Sequence, residues 1–249
     1  MVVQPDLLYL GLGWGAVVMW CQMNWNMKNN LVLYRILSGS ALKVIAVVSM
    51  TIDHIAYYIL DQQMGLGNTW YYEVMRCVGR LAFPIFAFLI IEGYHHTRHM
   101  GKYMLALLVT AIVAEIPWQL LGNEGSHNVV FTLLLGLVTI FLVDHIHDAP
   151  WLMLIETVLF AVIATMLNVD YTWHGIGLMM VFFLFRKHRA LTLIFGFPFL
   201  MEYGMIGSAI GLTIPLMYSD RRGFVKGQWM KYLFYIYYPL HLIVIWLCI

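Results

Sequence analysis

Lys43 and His54 lie eleven positions apart in LKVIAVVSMTIDHIAYYIL. On an α-helix that spacing is about three turns and roughly 16 Å of rise, so both side chains project from nearly the same face. The ammonium stands where an apolar run begins and the imidazole about midway into it. This pairing suits an enzyme whose donor carries phosphates at one end and a reactive group on an extended arm. The lysine would hold the phosphates while the imidazole handles protons at the far end. The structural alternative for His54 is a polar side chain hydrogen-bonded to a second helix.

Other chemistry-bearing residues share the apolar runs: Asp53, Arg80, Glu92, Glu115 and His241. Adjacent helix positions diverge by about 100°, so Asp53 cannot face as His54 does and reads as an orienter or a partner for Arg80. Pro84 lies four residues past Arg80 and cannot donate to its carbonyl, which predicts a kink with a free backbone oxygen beside the guanidinium. Gly79 permits a close approach there. Arg80 then faces a cavity, holding an acyl carbonyl, an acidic acceptor group or the Asp53 carboxylate; a purely structural ion pair with Asp53 or Glu115 is the alternative. Glu115 precedes Pro117, and Asn128 opens the next helix as an N-cap. Across a short loop these two would meet, either to shape an acceptor site or simply to close the loop. His241, after Pro239, completes the cavity or hydrogen-bonds another helix. His95, His96, Arg98, His99 and Lys102 form a basic rim suited to a nucleotide phosphate or anionic headgroups, with Arg98 and Lys102 joining Lys43 as the donor-binding candidates. Asp144, His145, His147 and Asp148 read as a solvated helix end, and no metal is expected. Cys21, Cys77 and Cys248 are scattered, which suggests neither a disulfide framework nor a zinc site.

These residues need a membrane around them. Apolar residues make up 62% of the 249-residue chain and charged residues 11%, with a mean hydropathy of +0.79. No soluble domain of this length hides that much apolar surface. Long unbroken runs favour helices over a barrel. The expectation is an all-α polytopic bundle of about ten segments, near 7–23, 43–60, 73–94, 102–121, 128–147, 151–167, 173–186, 190–203, 205–218 and 230–248. Some are short, and 190–218 is either two short helices or a re-entrant hairpin. The run from Leu7 to Met23 reads as a retained helix, since Asp6 stands where a signal peptide carries positive charge. Lysines and arginines gather at alternate loops, with Arg76 and Arg80 the exceptions, which places Lys43 at the cytoplasmic surface. No basic patch supports nucleic-acid binding. Residues 1–39 form one helix with its connector, and 40–249 form the main domain.

In LKVIAVVSMTIDHI (42–55), GRLAFPIFAFLIIEG (79–93), NVVFTLLLGL (128–137), YGMIG (203–207) and KYLFYIYYPLHL (231–242), the chain resembles the TraX family of membrane proteins. That family is similar to the wider transmembrane acyltransferase group, whose acyltransferase-3 members carry an arginine, ten residues and then a histidine. Here Lys43 takes the arginine's place, keeping the charge but losing the bidentate fork. The resemblance implies acetyl transfer from acetyl-CoA to an amine or hydroxyl acceptor, with founding members acting on the amino terminus of a conjugative pilin. It also implies residence in a bacterial inner membrane among its lipids. His54 would serve as general base or acetyl carrier, and Arg80 would meet charge at the carbonyl. Two rival classes remain open. A carrier or flippase would line its path with the same charges, and an assembly component without chemistry would leave them without a purpose.

Overall fold

The computed structural model describes residues 35–146, 149–225 and 228–249, and the run from Leu7 to Met23 lies outside them. Among the described residues the regular elements are helices, joined by short loops that carry two isolated bridges, Leu37 with Tyr218 and His127 with Val169. Helix α1 (Gly39–His54) opens on Ser38, whose hydroxyl accepts from the Ala41 amide, and continues as a π-helical stretch over Ile55–Gln63. Helices α2 (Trp70–Gly79) and α3 (Ala82–His96) form one interrupted span. The interruption falls at Arg80 and Leu81, where Pro84 withholds its amide from the preceding turn. There follow α4 (Met100–Leu120), α5 (Val129–His145), α6 (Pro150–Met166) and α7 (Thr172–Leu184). Helix α8 (Arg189–Gly196) tightens into a 3-10 turn over Phe197–Tyr203, and α9 (Gly204–Leu216) and α10 (Gln228–Cys248) complete the bundle. The uncertain stretch 190–218 is therefore one mixed helix followed by a second.

Gly39–Gln63, Trp70–His96 and Met100–Leu120 are long and apolar enough to cross a membrane, and the remaining helices are shorter apolar ones. Helix α6 turns Leu154, Ile155, Val158, Leu159 and Val162 outward, and α10 does the same with Leu233, Ile236, Leu240, Val244 and Leu247. Such stripes at helical spacing belong against lipid rather than water. This is a helical membrane protein.

Successive segments alternate in direction. The lead-in to α1 is zipped to the chain beyond α9: the Gly39 and Ser40 amides donate to the Arg221 and Arg222 carbonyls, and Val225 donates to the Ser40 hydroxyl. Tyr94 donates to Asp144, joining the ends of α3 and α5. These ends share one side of the bundle, and every described lysine or arginine except Arg76 and Arg80 belongs to it. We call this the basic end.

Candidate functional site

Helices α1 and α10 run in the same direction and meet along a ladder of side chains. At the basic end the Lys43 ammonium lies over the Phe234 ring, 5.4 Å from its centroid. Further along, the Thr51 and Tyr237 hydroxyls are 2.6 Å apart. Next, His54 Nδ1 sits 2.7 Å from His241 Nε2. Finally Gln63 donates to the Ile249 carbonyl at 2.9 Å. Lys43 and His54 do share a face, and that face is turned toward α10. The backbones of α1 and α10 touch only thinly, because α10 packs chiefly on α4, so the ladder is a seam of side chains.

The two imidazoles are nearly coplanar, 6° apart, with centroids 4.9 Å apart. A nitrogen–nitrogen contact of 2.7 Å is shorter than the ~3.5–4.0 Å of ring faces in van der Waals contact. The rings therefore meet edge to edge through an in-plane hydrogen bond. Its polarity follows from the next partner: His241 Nδ1 lies 3.1 Å from the Tyr237 carbonyl, which can only accept. His241 Nδ1 must carry a hydrogen, so neutral His241 offers a lone pair at Nε2 and His54 Nδ1 donates to it. That leaves His54 Nε2 as a lone pair with no hydrogen-bond partner among the described residues. Tyr58 meets the His54 ring edge-on at 5.8 Å. Its hydroxyl accepts from Asn123 at 2.6 Å.

The other face of α1 serves a different purpose. Asp53 points toward α2, where its Oδ2 accepts from Arg76 Nη1 at 2.6 Å. The close approach permitted by Gly79 is used by Asp53 itself, since a Cβ on that glycine would lie 2.3 Å from the Asp53 Cβ. Asp53 Oδ1 is buried without a hydrogen-bond partner among the described residues. The Arg76 guanidinium also lies over the Tyr57 ring at 5.2 Å, and the Arg80 charge acts on the same carboxylate. In the loop between α6 and α7, Asp170 faces this group. Burial, and then the Asp53 carboxylate, push its carboxyl up to about 7 against the pull of Arg76.

Toward the end away from the lysines, Glu115 and Asn128 do meet. Glu115 Oε1 lies 2.7 Å from His127 Nδ1 and accepts from Gln119 at 2.7 Å, while Oε2 accepts from the Asn128 amide side chain at 2.7 Å and its backbone at 3.3 Å. Asn128 also donates to the Ala111 carbonyl and caps α5 by accepting from Val130. Gln119 and Asn123 tie in through Ser126. The network closes on itself.

A family model described as TraX protein matches residues 38–249. The chain belongs to the TraX family. It is 26% identical, over an alignment of 236 residues covering 82% of this chain and 93% of the relative, to the probable fimbrial assembly protein FimC, serogroup H1, of Dichelobacter nodosus. It is 28% identical over 96 residues, 38% of this chain and 33% of the relative, to the uncharacterized protein RP591 of Rickettsia prowazekii (strain Madrid E). No solved structure matches it.

Within this TraX chain the residues expected to act together divide into separate groups. His54 and His241 are joined directly, so His241, expected either to complete the acceptor cavity or to hydrogen-bond another helix, makes that second contact as the ring partner of His54. Asp53 and Arg80 lie on the α2 side, where Arg76 donates to the Asp53 carboxylate and the Arg80 charge also acts on it. The direction of Asp53 follows from helical geometry, since residue 53 turns about 100° away from residue 54. Glu115 and Asn128 spend their polar atoms on each other and on nearby loops. At the basic end Arg98 and Lys102 are exposed, but the cavity found there is lined by other cations, Arg35, Arg186, Lys187 and Arg189. Of the Asp144–Asp148 cluster, His147 and Asp148 lie outside the described residues. Sequence reasoning passed over Tyr58, Asn123 and Asp170, which carry no pattern of their own. Arg76 did carry one, as an exception to the charge asymmetry sharing a helix face with Arg80.

Proposed function

We propose that this TraX protein is an integral-membrane acyltransferase that moves an acetyl group from acetyl-CoA to an amine or hydroxyl acceptor. The observation that carries the reading is the open lone pair on His54 Nε2, fixed by His241 at the far end of the seam that begins at Lys43. With the basic end in the cytoplasm of a bacterial inner membrane, as the charge asymmetry favours, Lys43 meets the phosphate-bearing part of the donor. About 16 Å of helix then separates it from the reacting group, a distance suited to an extended thiol arm lying in the side-chain seam.

His54 Nε2 removes the proton from the acceptor N–H or O–H as that atom bonds to the thioester carbonyl carbon. His241 accepts the hydrogen bond from His54 Nδ1 and so keeps the acceptor lone pair on Nε2; as His54 gains charge, that bond strengthens. When the carbon–sulfur bond breaks, the sulfur leaves with the electron pair and Nε2 returns the proton to it. The guanidinium charges of Arg76 and Arg80, on the neighbouring face of α1 with Asp53, add a longer-range positive field that favours the negative charge developing on the carbonyl oxygen. The relationship to a fimbrial assembly protein favours a pilin-type acceptor.

The test is acetyl transfer by purified protein in nanodiscs, followed as free thiol released from acetyl-CoA in the presence of an amine acceptor. His54→Ala should abolish release and still give a folded, extractable protein; full activity in that variant removes the mechanism. The fimbrial relative also favours a second reading, an assembly component without chemistry. Under it, His54→Ala would leave pilus assembly unchanged.

A further inference from the structure

Asp170 sits in the loop that joins α6 to α7, at the end away from the lysines, where a carboxylate facing outward would be freely solvated. It is turned inward instead. Three non-glycine neighbours hold left-handed backbone, Asn168 at φ 47°, Tyr171 at φ 64° and Thr172 at φ 36°, a conformation disfavoured for residues with a Cβ. The turn is pinned from several sides. The Asp170 amide donates to the His127 carbonyl at 2.8 Å, Thr132 donates to the Asp170 carbonyl, and the Tyr171 ring stacks on Phe83 with centroids 3.8 Å apart.

Inside, Asp170 meets polar atoms whose hydrogen-bonding capacity is unused. The ionisable groups that face it are Asp53 from α1, Tyr58 from the stretch that continues α1, Arg76 from α2 and Tyr238 from α10. Asp53 Oδ1 is buried without a hydrogen-bond partner among the described residues. Tyr238 is buried, and its hydroxyl, drawn toward the Val129 amide, completes no hydrogen bond with a described residue. The Tyr58 hydroxyl accepts from Asn123 and finds no acceptor for its own hydrogen among the described residues. Both tyrosine rings lie against the imidazole pair, Tyr58 on His54 at 5.8 Å and Tyr238 on His241 at 5.5 Å. Open acceptors and open donors therefore surround Asp170 on one side and reach His54 Nε2 on the other.

We propose that water occupies the space between Asp170, Asp53, Tyr58 and Tyr238 and makes Asp170 a proton port, through which the His54 end of the seam exchanges protons with the face away from the lysines. Water suits this mixture because it both donates and accepts, and a buried water is held by about two to four polar partners. A metal cation would be opposed by Arg76 beside Asp53, and an anion by the two carboxyl groups. Carboxyl and imidazole groups in series are the side chains from which intramembrane proton relays are built. The port has a use in the proposed acetyl transfer when the acceptor is an amine. An ammonium ion gives up two protons on becoming an amide; the departing thiol takes one from Nε2, and the other leaves through Asp170. That use alone rests on the acyltransferase reading.

Hydroxyl-radical footprinting of the full-length protein in nanodiscs, read residue by residue by mass spectrometry, tests the water. Radicals made by a brief pulse arise from the water beside a side chain, so a residue in a dry core reacts slowly whatever its chemistry. Tyr58 and Tyr238 should be modified at least tenfold faster than Met179 and Phe182, which are buried comparably in the packed core; a smaller difference overturns the proposal. Infrared spectroscopy tests the port. At about pH 5 a protonated-carboxyl band present in the wild type and missing from Asp170→Asn should shift in D2O and fade as pH is raised to about 8. A band that ignores D2O, or no such band, overturns the port. Should Asp170→Asn fail to fold, Asp170→Glu should move the band and so assign it, and the footprint needs no variant. Neither measurement uses acetyl-CoA. A wet, exchanging Asp170 in a protein that transfers no acetyl group defeats the proposed activity and leaves the port standing, and normal transfer over a dry Asp170 does the reverse.

Discussion

The His54–His241 pair and the Glu115–Asn128 network are both polar and both part-buried, one joining helices 187 positions apart and the other bridging a short loop, yet they end differently. Around Glu115 both carboxylate oxygens are engaged, and the Asn128 side chain uses its oxygen and its nitrogen. Around His54 the chain of donors runs from Nδ1 through His241 to the Tyr237 carbonyl and leaves one ring nitrogen open. A closed network can only hold helices together. A network with one oriented vacancy can hold them together and also accept a proton. The comparison gives a criterion for telling the two apart in any apolar bundle: follow the hydrogen bonds outward and look for the atom at which they stop.

Substitutions sharpen that contrast. The largest effect falls on His54, where replacement by alanine should cost about 10²–10⁴ in turnover, the range expected for a general base, in a protein that still folds. Next is His241, which acts through His54. His241→Ala should lower kcat about 10–100-fold at nearly constant KM, and His241→Gln, whose amide oxygen can accept from His54 Nδ1, should recover part of the loss. Equal losses in the two variants would mean that orientation of His54 plays no part. Glu115→Ala should show the opposite pattern. It strips partners from Gln119, His127 and Asn128, and should destabilise by about 2 kcal/mol in thermal unfolding while turnover per folded molecule holds. A selective loss of turnover would place Glu115 in the chemistry.

The smallest effect concerns Asp170. Its carboxyl titrates at about 7 in the folded protein against 3.8 as the ordinary value. Between those values the folded state keeps a proton that the unfolded chain has released, so this group's contribution to stability falls as pH rises through that window. Asp170→Asn should flatten the pH dependence of the unfolding midpoint between about pH 4 and 7. An unaltered profile would show that Asp170 is not held in its protonated form.

The broad architecture was legible because lipid imposes it: apolar runs of the right length, broken by charged loops on alternate sides, leave few arrangements open. Lys43 and His54 were legible as co-facial because helical periodicity is local. Their partners were not. The edge-to-edge meeting of His54 with His241 depends on how α10 leans across α1, and nothing in either segment encodes that angle. Asp53 illustrates the same limit from the other side. Its direction away from His54 could be derived, but the hydrogen bond it accepts from Arg76 depends on how α2 docks against α1. The π-helical stretch after His54 had no signature in IAYYILDQQ. The cavity cations Arg35, Arg186 and Arg189 were visible only as part of a charge asymmetry, because four separate segments, at residues 35, 88–92, 186–189 and 215–220, must converge to enclose the space between them.

The parallel pairing of α1 with α10 has a consequence for biogenesis. The two imidazoles are 187 positions apart, so a nascent chain that has already threaded its first nine described helices still lacks half of the imidazole pair. Competence arrives only with the last helix, when insertion is otherwise finished. On the acyltransferase proposal, a ribosome-stalled or C-terminally clipped chain would occupy the bilayer as an inert scaffold until the bundle is whole.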